Sequence, residues 1–303
     1  MFMRKVIIIG LGAVGLTYAV KLRGKCELSI LVDNERKQKY TKEKPVFNGK
    51  EQEFRYILPT DKFNADLIFV ATKFNGLESV IKNIKNFVTD ETRIISLING
   101  ISSEEKISEA YPNTKILKSY FIGHSAVRNG NSVTQDGIGE IVIERDEFVE
   151  QFFKESGVQY FIPKDMNYAM WLKFTLNVFS NQVSAILDMN FGQMKRNKAF
   201  MDFAKKVITE VRQIAEKKGI NNLENLESDA MKAINVMCDE GKTSMHQDIL
   251  AKRPTEVDIF AGEIIRLGKE YGIPTPYNQV LYDLIKIKEE DNEHCIHTGQ
   301  SRE

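Results

Sequence analysis

Residues 6–15 read VIIIGLGAVG: the β-branched tetrad Val6-Ile7-Ile8-Ile9 runs directly into Gly10-x-Gly12-x-x-Gly15. Arg4 and Lys5, placed ahead of an apolar run that reaches Val20, give the stretch the look of an export leader. That run is shorter than the roughly 20 apolar residues a bilayer core requires. No small-x-small cleavage site follows before Lys21, Arg23 and Lys25. The glycine spacing favours another reading, a strand, a tight turn and a helix. In such a unit the first glycine permits the turn, the second lets the backbone approach a pyrophosphate, and the third lets helix pack on strand. The N–H groups at the helix start then face the anion. Gly10, Gly12, Ala13, Val14 and Gly15 are the expected cofactor cradle.

A chain of 303 residues has room for two domains. Its 42 basic residues balance 42 acidic ones, so nothing electrostatic points to nucleic acid or an anionic membrane as partner. No later segment reads as a membrane span. Cys26, Cys238 and Cys295 are odd in number and far apart, with no C-x-x-C, which argues for a reducing, cytoplasmic compartment. A polar tail from Glu289 carries His294-Cys295-x-His297, which reads as incidental, and no metal is expected.

Working outward from the turn, short apolar runs at Val6–Ile9, Leu28–Val32, Leu67–Ala71, Ile94–Leu97 and Ile116–Phe121 look like buried parallel strands. Helical patterns such as Ala13–Arg23 and Leu77–Phe87 separate them. This alternation predicts an α/β fold with an N-terminal Rossmann-type doubly wound sheet. Ser132–Ile143 reads as two antiparallel edge strands about an Asp136-Gly137 turn, and Val158–Ile162 as a last strand closed by Pro163. From Met166 on, long helical periods dominate: Met166–Leu187, Lys198–Lys218, Leu226–Asp239, Thr255–Tyr271 and Tyr277–Ile287. The expected division is a dinucleotide-binding domain over 1–165 and a mostly α-helical substrate and catalytic domain over 166–303.

Asp33 ends the second strand, 18 positions after Gly15. A carboxylate there accepts hydrogen bonds from adenosine ribose hydroxyls and repels a 2′-phosphate, although Arg36 and Lys37 follow as compensating cations. Lys73 and Asn99 fall at the carboxyl ends of strands, where open α/β sheets place their ligands. In the second half, Lys173, Asn177 and Asn181 recur at i, i+4 and i+8 in an otherwise apolar helix. Burying such a line without partners is costly, so it should face a polar cleft. A second cluster, TSMHQDILAKRPTEVD, offers Ser244, Asp248, Arg253 and Glu256, with Thr255 placed to cap the next helix and Glu256 in its first turn.

Taken together, GLGAVG, VATK, LINGI, W-x-K-x-x-x-N-x-x-x-N at Trp171–Asn181, SMHQD…RPTEVD…G and YGIPTPYN resemble the ketopantoate reductase family (2-dehydropantoate 2-reductases). The likeness covers nearly the whole chain up to about residue 290. It implies reduction of 2-dehydropantoate to (R)-pantoate with NADP(H), a step toward pantothenate and coenzyme A. Through it Lys173 is expected to be the general acid, with Glu256 positioning substrate, lysine and cofactor. Asn177, Asn181 and Ser244 are expected to bind substrate, while Lys73 and Asn99 line the cofactor site. Asp33 stands where many members carry an arginine for the 2′-phosphate, which leaves NAD(H) open. The alternatives are an NAD-dependent (R)-2-hydroxyacid dehydrogenase on a branched or aromatic 2-oxo acid, and a non-catalytic dinucleotide sensor. A sensor has no use for the lysine stripe. The helical half carries apolar faces enough for a homodimer, but nothing specifies one.

Overall fold

The computed structural model describes residues 4–123 and 125–298, with side chains for all of these except Ser125 and 292–298. The side chains of His294, Cys295 and His297 therefore lie outside the described residues. The chain divides into two compact units, the first ending at Met166 and the second beginning at Asn167.

The first unit opens with β1 (Lys5–Ile9), α1 (Ala13–Leu22), β2 (Glu27–Leu31) and α2 (Asn34–Lys42), followed by three short strands, β3 (Val46–Phe47), β4 (Lys50–Glu51) and β5 (Tyr56–Ile57). It continues through β6 (Leu67–Val70), α3 (Leu77–Asn83), β7 (Arg93–Ser96), α4 (Ser103–Ala110), β8 (Lys115–Leu117) and β9 (Ser119–Ile122). β10 (Ser125–Asn129), β11 (Ser132–Asp136), β12 (Glu140–Ile143), α5 (Glu147–Ser156) and β13 (Tyr160–Phe161) complete it. The main sheet runs β5-β2-β1-β6-β7-β8, parallel throughout. Its strands are continuously apolar because both faces are covered. Val6 and Ile8 point into one core with Leu67, Phe69 and Phe153, while Ile7 and Ile9 point into the other with Ile68, Val70 and Phe87.

Two expectations fail here. The run Ile116–Phe121 is not one strand: it breaks at Lys118, leaving β8 in the main sheet and carrying β9 into a small sheet of order β13-β12-β9. Nor do β11 and β12 form a hairpin about Asp136-Gly137. β11 pairs antiparallel with β10 and parallel with β3, whereas β12 pairs with β9 and β13. Gly137 and Gly139 both take positive φ and carry the chain from one sheet to the other. Lys21 Nζ on α1 holds this link by donating to the carbonyls of Ile138 and Gly139.

The second unit is helical: α6 (Met166–Leu187), α7 (Phe191–Arg196), α8 (Lys198–Lys217), α9 (Leu226–Asn235), α10 (Ser244–Leu250), α11 (Ala261–Tyr271) and α12 (Pro276–Thr298). α12 runs well past Ile287, the end read from the sequence. α8 buries Phe200, Ala204, Val207, Ile208, Val211 and Ile214 on one face. The same face carries a buried carboxylate, Glu210, which accepts from the Tyr277 and Asn278 N–H groups and from Asn278 Nδ2 at 2.7–3.0 Å. This gives YGIPTPYN a structural meaning, since the acid caps α12 at its positive end. Among the described residues, no helix is long and apolar enough to cross a membrane. Glu210→Ala strands two N–H groups and a buried amide, and is expected to cost about 3 kcal/mol in urea unfolding. An unchanged midpoint would remove the cap from this role.

Candidate active site

The turn between β1 and α1 leaves no room for side chains at two of its three glycines. Gly10 has φ +93°, and a Cβ there would stand 2.6 Å from the Ala71 carbonyl oxygen. At Gly15 a Cβ would meet the Gly10 carbonyl oxygen at 1.8 Å. Gly12 differs: its φ is an ordinary −72°, and a Cβ would find nothing within 4 Å. It sits at the N-cap of α1 and offers no side chain to the first N–H groups of the helix. Close helix–strand packing, open space over the middle glycine and uncapped donors fit the pyrophosphate of a dinucleotide.

The sheet order then brings the other predicted cofactor residues to the same edge. β1 and β6 are neighbours at the point where the winding reverses, with β2 outside one and β7 outside the other. Asp33 follows β2 and caps α2, its Oδ1 accepting from the Arg36 N–H at 2.7 Å while Oδ2 lies 3.7 Å from the guanidinium of Arg36. Lys73 is exposed and precedes a short 3-10 turn, Phe74–Gly76, beyond β6. Asn99 is half-buried beyond β7, just before Gly100 at φ +101°.

Sequence reasoning missed the polar cluster behind Asn99. Ser96, Ser103, Glu104 and Ser119 are all buried. Burial pushes the Glu104 carboxyl up to about 7, against the opposing pull of Ser103 Oγ, the Glu104 and Ser119 backbone N–H groups and Lys118. An acid in the first turn of a helix ordinarily reads as a surface residue favoured by the dipole, so SSEE carried no signal of this burial.

In the second unit α6 sets Lys173, Asn177 and Asn181 along one face. Asn177 and Asn181 are buried, and Lys173 is half-buried. Asn181 Nδ2 reaches Ser244 Oγ at 3.5 Å, so the sequence-predicted substrate residues of α6 and α10 meet. Thr243 caps α10 and shares a 2.6 Å hydrogen bond with Ser184, whose hydroxyl donates to the Asn181 carbonyl. His246, buried on α10, bonds Asp188 just past α6 at 2.5 Å.

Burial pushes Lys173 down to about 8, and among the described residues its ammonium makes no ion pair. Glu256, expected through the family likeness to position this lysine, forms no ion pair with it among the described residues. Glu256 is half-buried and precedes a 3-10 turn, Val257–Ile259. α11 starts only at Ala261 because Phe260, at φ −106° and ψ −94°, interrupts the helix. Thr255 consequently does not cap α11; its hydroxyl accepts from the Val257 N–H at 3.2 Å. Asp248 and Arg253 pair at 2.8 Å, which accounts for those two residues structurally.

An open hollow lined by Leu187, Met189, Gln193, Arg196, Asn197 and Lys198 contains none of these residues. Among the described residues no group of three His, Cys, Asp or Glu side chains could hold a metal.

Comparison with known proteins agrees with both halves. Residues 6–147 match the ketopantoate reductase PanE/ApbA family, and residues 165–289 match its C-terminal domain family. The 2-dehydropantoate 2-reductase of Vibrio cholerae is 24% identical over 296 residues, covering 94% of this chain and 98% of that protein. That of Lactococcus lactis is 24% identical over 312 residues, with the same coverage of 94% and 98%. Among solved structures, D-mandelate dehydrogenase with NADH and anilino(oxo)acetate aligns at TM-score 0.84, 24% identical, over 95% of this chain and 99% of that one. A family ketopantoate reductase from Ralstonia eutropha aligns at TM-score 0.80, 24% identical, over 96% and 100%. A dimeric ketopantoate reductase from Staphylococcus aureus aligns at TM-score 0.77, 22% identical, over 95% and 99%. With the glycine turn in one unit, the polar stripe in the other and matches spanning both, the chain belongs to the ketopantoate reductase family.

Proposed function

We propose that this chain reduces 2-dehydropantoate to (R)-pantoate, with Lys173 as general acid. The observation that carries the reading is the half-buried Lys173 ammonium, without an ion-pair partner among the described residues, in line with Asn177 and Asn181. When bound, the reduced nicotinamide supplies the hydride to the carbonyl carbon. The residues fit to hold the dinucleotide are Gly10, Gly12, Ala13, Val14 and Gly15, with Asp33, Lys73, Asn99 and Glu256 completing the set.

The protein's own part is charge stabilisation and a proton. Negative charge grows on the carbonyl oxygen as the C–O bond is reduced, and an ammonium aimed there is worth more in the transition state than before it. Lys173 Nζ then gives its proton to that oxygen. A pKa near 8 suits a proton donor, because the group is protonated at neutral pH yet surrenders its proton far more readily than an ordinary lysine. Asn177, Asn181 and Ser244 orient the carboxylate and hydroxyl of the oxo acid, and Glu256 positions the substrate.

A second reading, an NAD-dependent (R)-2-hydroxyacid dehydrogenase, is favoured by Asp33. With Oδ1 capping α2 and its side chain about half exposed at 51%, it keeps a carboxylate at the end of β2. A second copy of the chain fits as partner, since Val280, Leu284 and Ile287 stand exposed along α12. The cytoplasm fits the free thiols of Cys26 and Cys238.

Lys173→Met is expected to lower kcat for 2-dehydropantoate by roughly 10²–10⁴-fold. In the wild type, reduction should fall as pH rises through about 8, where Lys173 loses its proton. Because its pKa in the fold lies below its unfolded value, the charged lysine destabilises the protein at neutral pH, and the cost disappears as pH rises toward that of a free lysine. The Met variant should therefore melt higher than wild type at pH 7 while turning over far less; retained turnover removes Lys173 from its role. Gly12→Ala should leave the melting temperature unchanged yet weaken cofactor binding, whereas equal affinity would place the pyrophosphate elsewhere. Asp33→Ser keeps a capping oxygen and should move the NADPH/NADH ratio of kcat/KM toward NADPH. Steady-state kinetics on a panel of 2-oxo acids, 2-dehydropantoate and phenylglyoxylate included, separates the two readings.

A further inference from the structure

The turn that presents Asn99 is tied down by hydrogen bonds running in one direction. The Ile98 N–H donates to Ser96 Oγ at 3.4 Å, Ser96 Oγ stands 2.8 Å from Ser103 Oγ, and Ser103 Oγ donates to Glu104 Oε2 at 2.8 Å. With the Ser103 proton committed to the carboxyl, the Ser96 proton must point to Ser103. The chain therefore begins on the backbone of the turn and ends on an acid. Ser119 Oγ anchors its base by donating to the Ser96 carbonyl at 2.7 Å. Glu104 Oε1 is buried and has no partner among the described residues. The Ser119 backbone N–H of β9 also acts on this carboxyl, so the acid joins the turn to a neighbouring strand.

We propose that Glu104 is a positioning residue for the cofactor: through Ser103 and Ser96 its carboxyl holds the 97–102 turn, and with it Asn99, at the carboxyl edge of the sheet. This rests on reading that edge as the dinucleotide site. Glu104 is held near the neutral form by burial and passes to the ionised form as pH rises through about 7. The ionised form places a buried negative charge at the edge that receives the pyrophosphate, so cofactor affinity falls as pH rises. The charge acting on Glu104 from a neighbouring element is Lys118, between β8 and β9. Lys115 of β8 is held by Asp146, while Glu78 and Lys82 of α3 are exposed, as are Glu105 and Lys106 of α4.

The proposal is tested by titrating reduced cofactor by fluorescence at about pH 6 and about pH 8.5, on either side of the carboxyl's titration. The same cofactor is used for every protein, so that its own ionisation cancels. Wild type should bind roughly tenfold more weakly at the higher pH, the order of effect of one like charge acting on the pyrophosphate through intervening protein. Glu104→Gln should lose that step. Ser103→Ala, which cuts the chain, should weaken binding at both pH values and shrink the step. In both variants kcat at saturating cofactor should hold, with the change confined to the cofactor KM. A Glu104→Gln protein that keeps the wild-type step overturns the proposal. If that variant does not fold, a Ser103→Ala protein with unchanged affinity and step overturns it equally. A wild type that binds cofactor with a flat pH profile removes Glu104 alone, whereas a wild type that binds no dinucleotide removes the reading of the edge as well.

Discussion

The first unit is organised around one steric fact: the backbone of α1 comes so close to the backbone leaving β1 that residue 15 can carry no Cβ. A single methyl group there would stand 1.8 Å from the Gly10 carbonyl oxygen. The rest of the edge follows from this contact. It fixes where the helix begins, and that start lies beside the boundary between β1 and β6 at which the sheet reverses its winding. The neighbouring strands then deliver a carboxylate, a lysine and an asparagine to the same edge from loops that share no sequence signal.

In the second unit the governing quantity is desolvation. α6 is buried over most of its length, yet it carries Lys173, Asn177 and Asn181 on one face. An amine removed from water without a counter-ion drifts toward its neutral form, and a carboxyl does the same in the opposite direction on the pH scale. Lys173 and Glu104 are the two faces of that rule here, one lowered and one raised. Both are costly to keep in a folded protein, and each sits beside groups suited to a polar ligand. Perturbed ionisable groups collect at working sites for this reason.

Much of this was legible from residues alone. The strands of the parallel sheet could be read because burial on both faces makes them apolar without interruption, and the polar stripe of α6 stood out against an apolar helix. The misreadings share a cause, which is that local pattern does not state which partner a segment will take. Asp136-Gly137 looks like a hairpin turn, yet the strands on either side belong to different sheets. Ile116–Phe121 is apolar enough for one strand, but its two halves pair with different neighbours across Lys118. Thr255 has the chemistry of a cap, and the helix it would cap starts six residues later, at Ala261. Glu104 could not be read at all, since its burial depends on β7 and β9 arriving from elsewhere in the chain. A part for Glu256 in positioning Lys173 came only through family likeness, and among the described residues the lysine makes no ion pair.

The clasp between Asp188 and His246 has an evolutionary consequence. Asp188 takes a left-handed backbone, φ +53°, with most of its side chain in water, while His246 is sealed in the interior with Nδ1 lacking a partner among the described residues. Replacing the aspartate alone would leave a buried imidazole with neither nitrogen satisfied. Replacing the histidine alone by an apolar residue would leave an aspartate in an unfavourable conformation that a glycine or asparagine tolerates better. Divergence at the two positions should therefore be correlated, with lineages that fill the interior site with a hydrocarbon side chain relaxing the acid at the helix end at the same time.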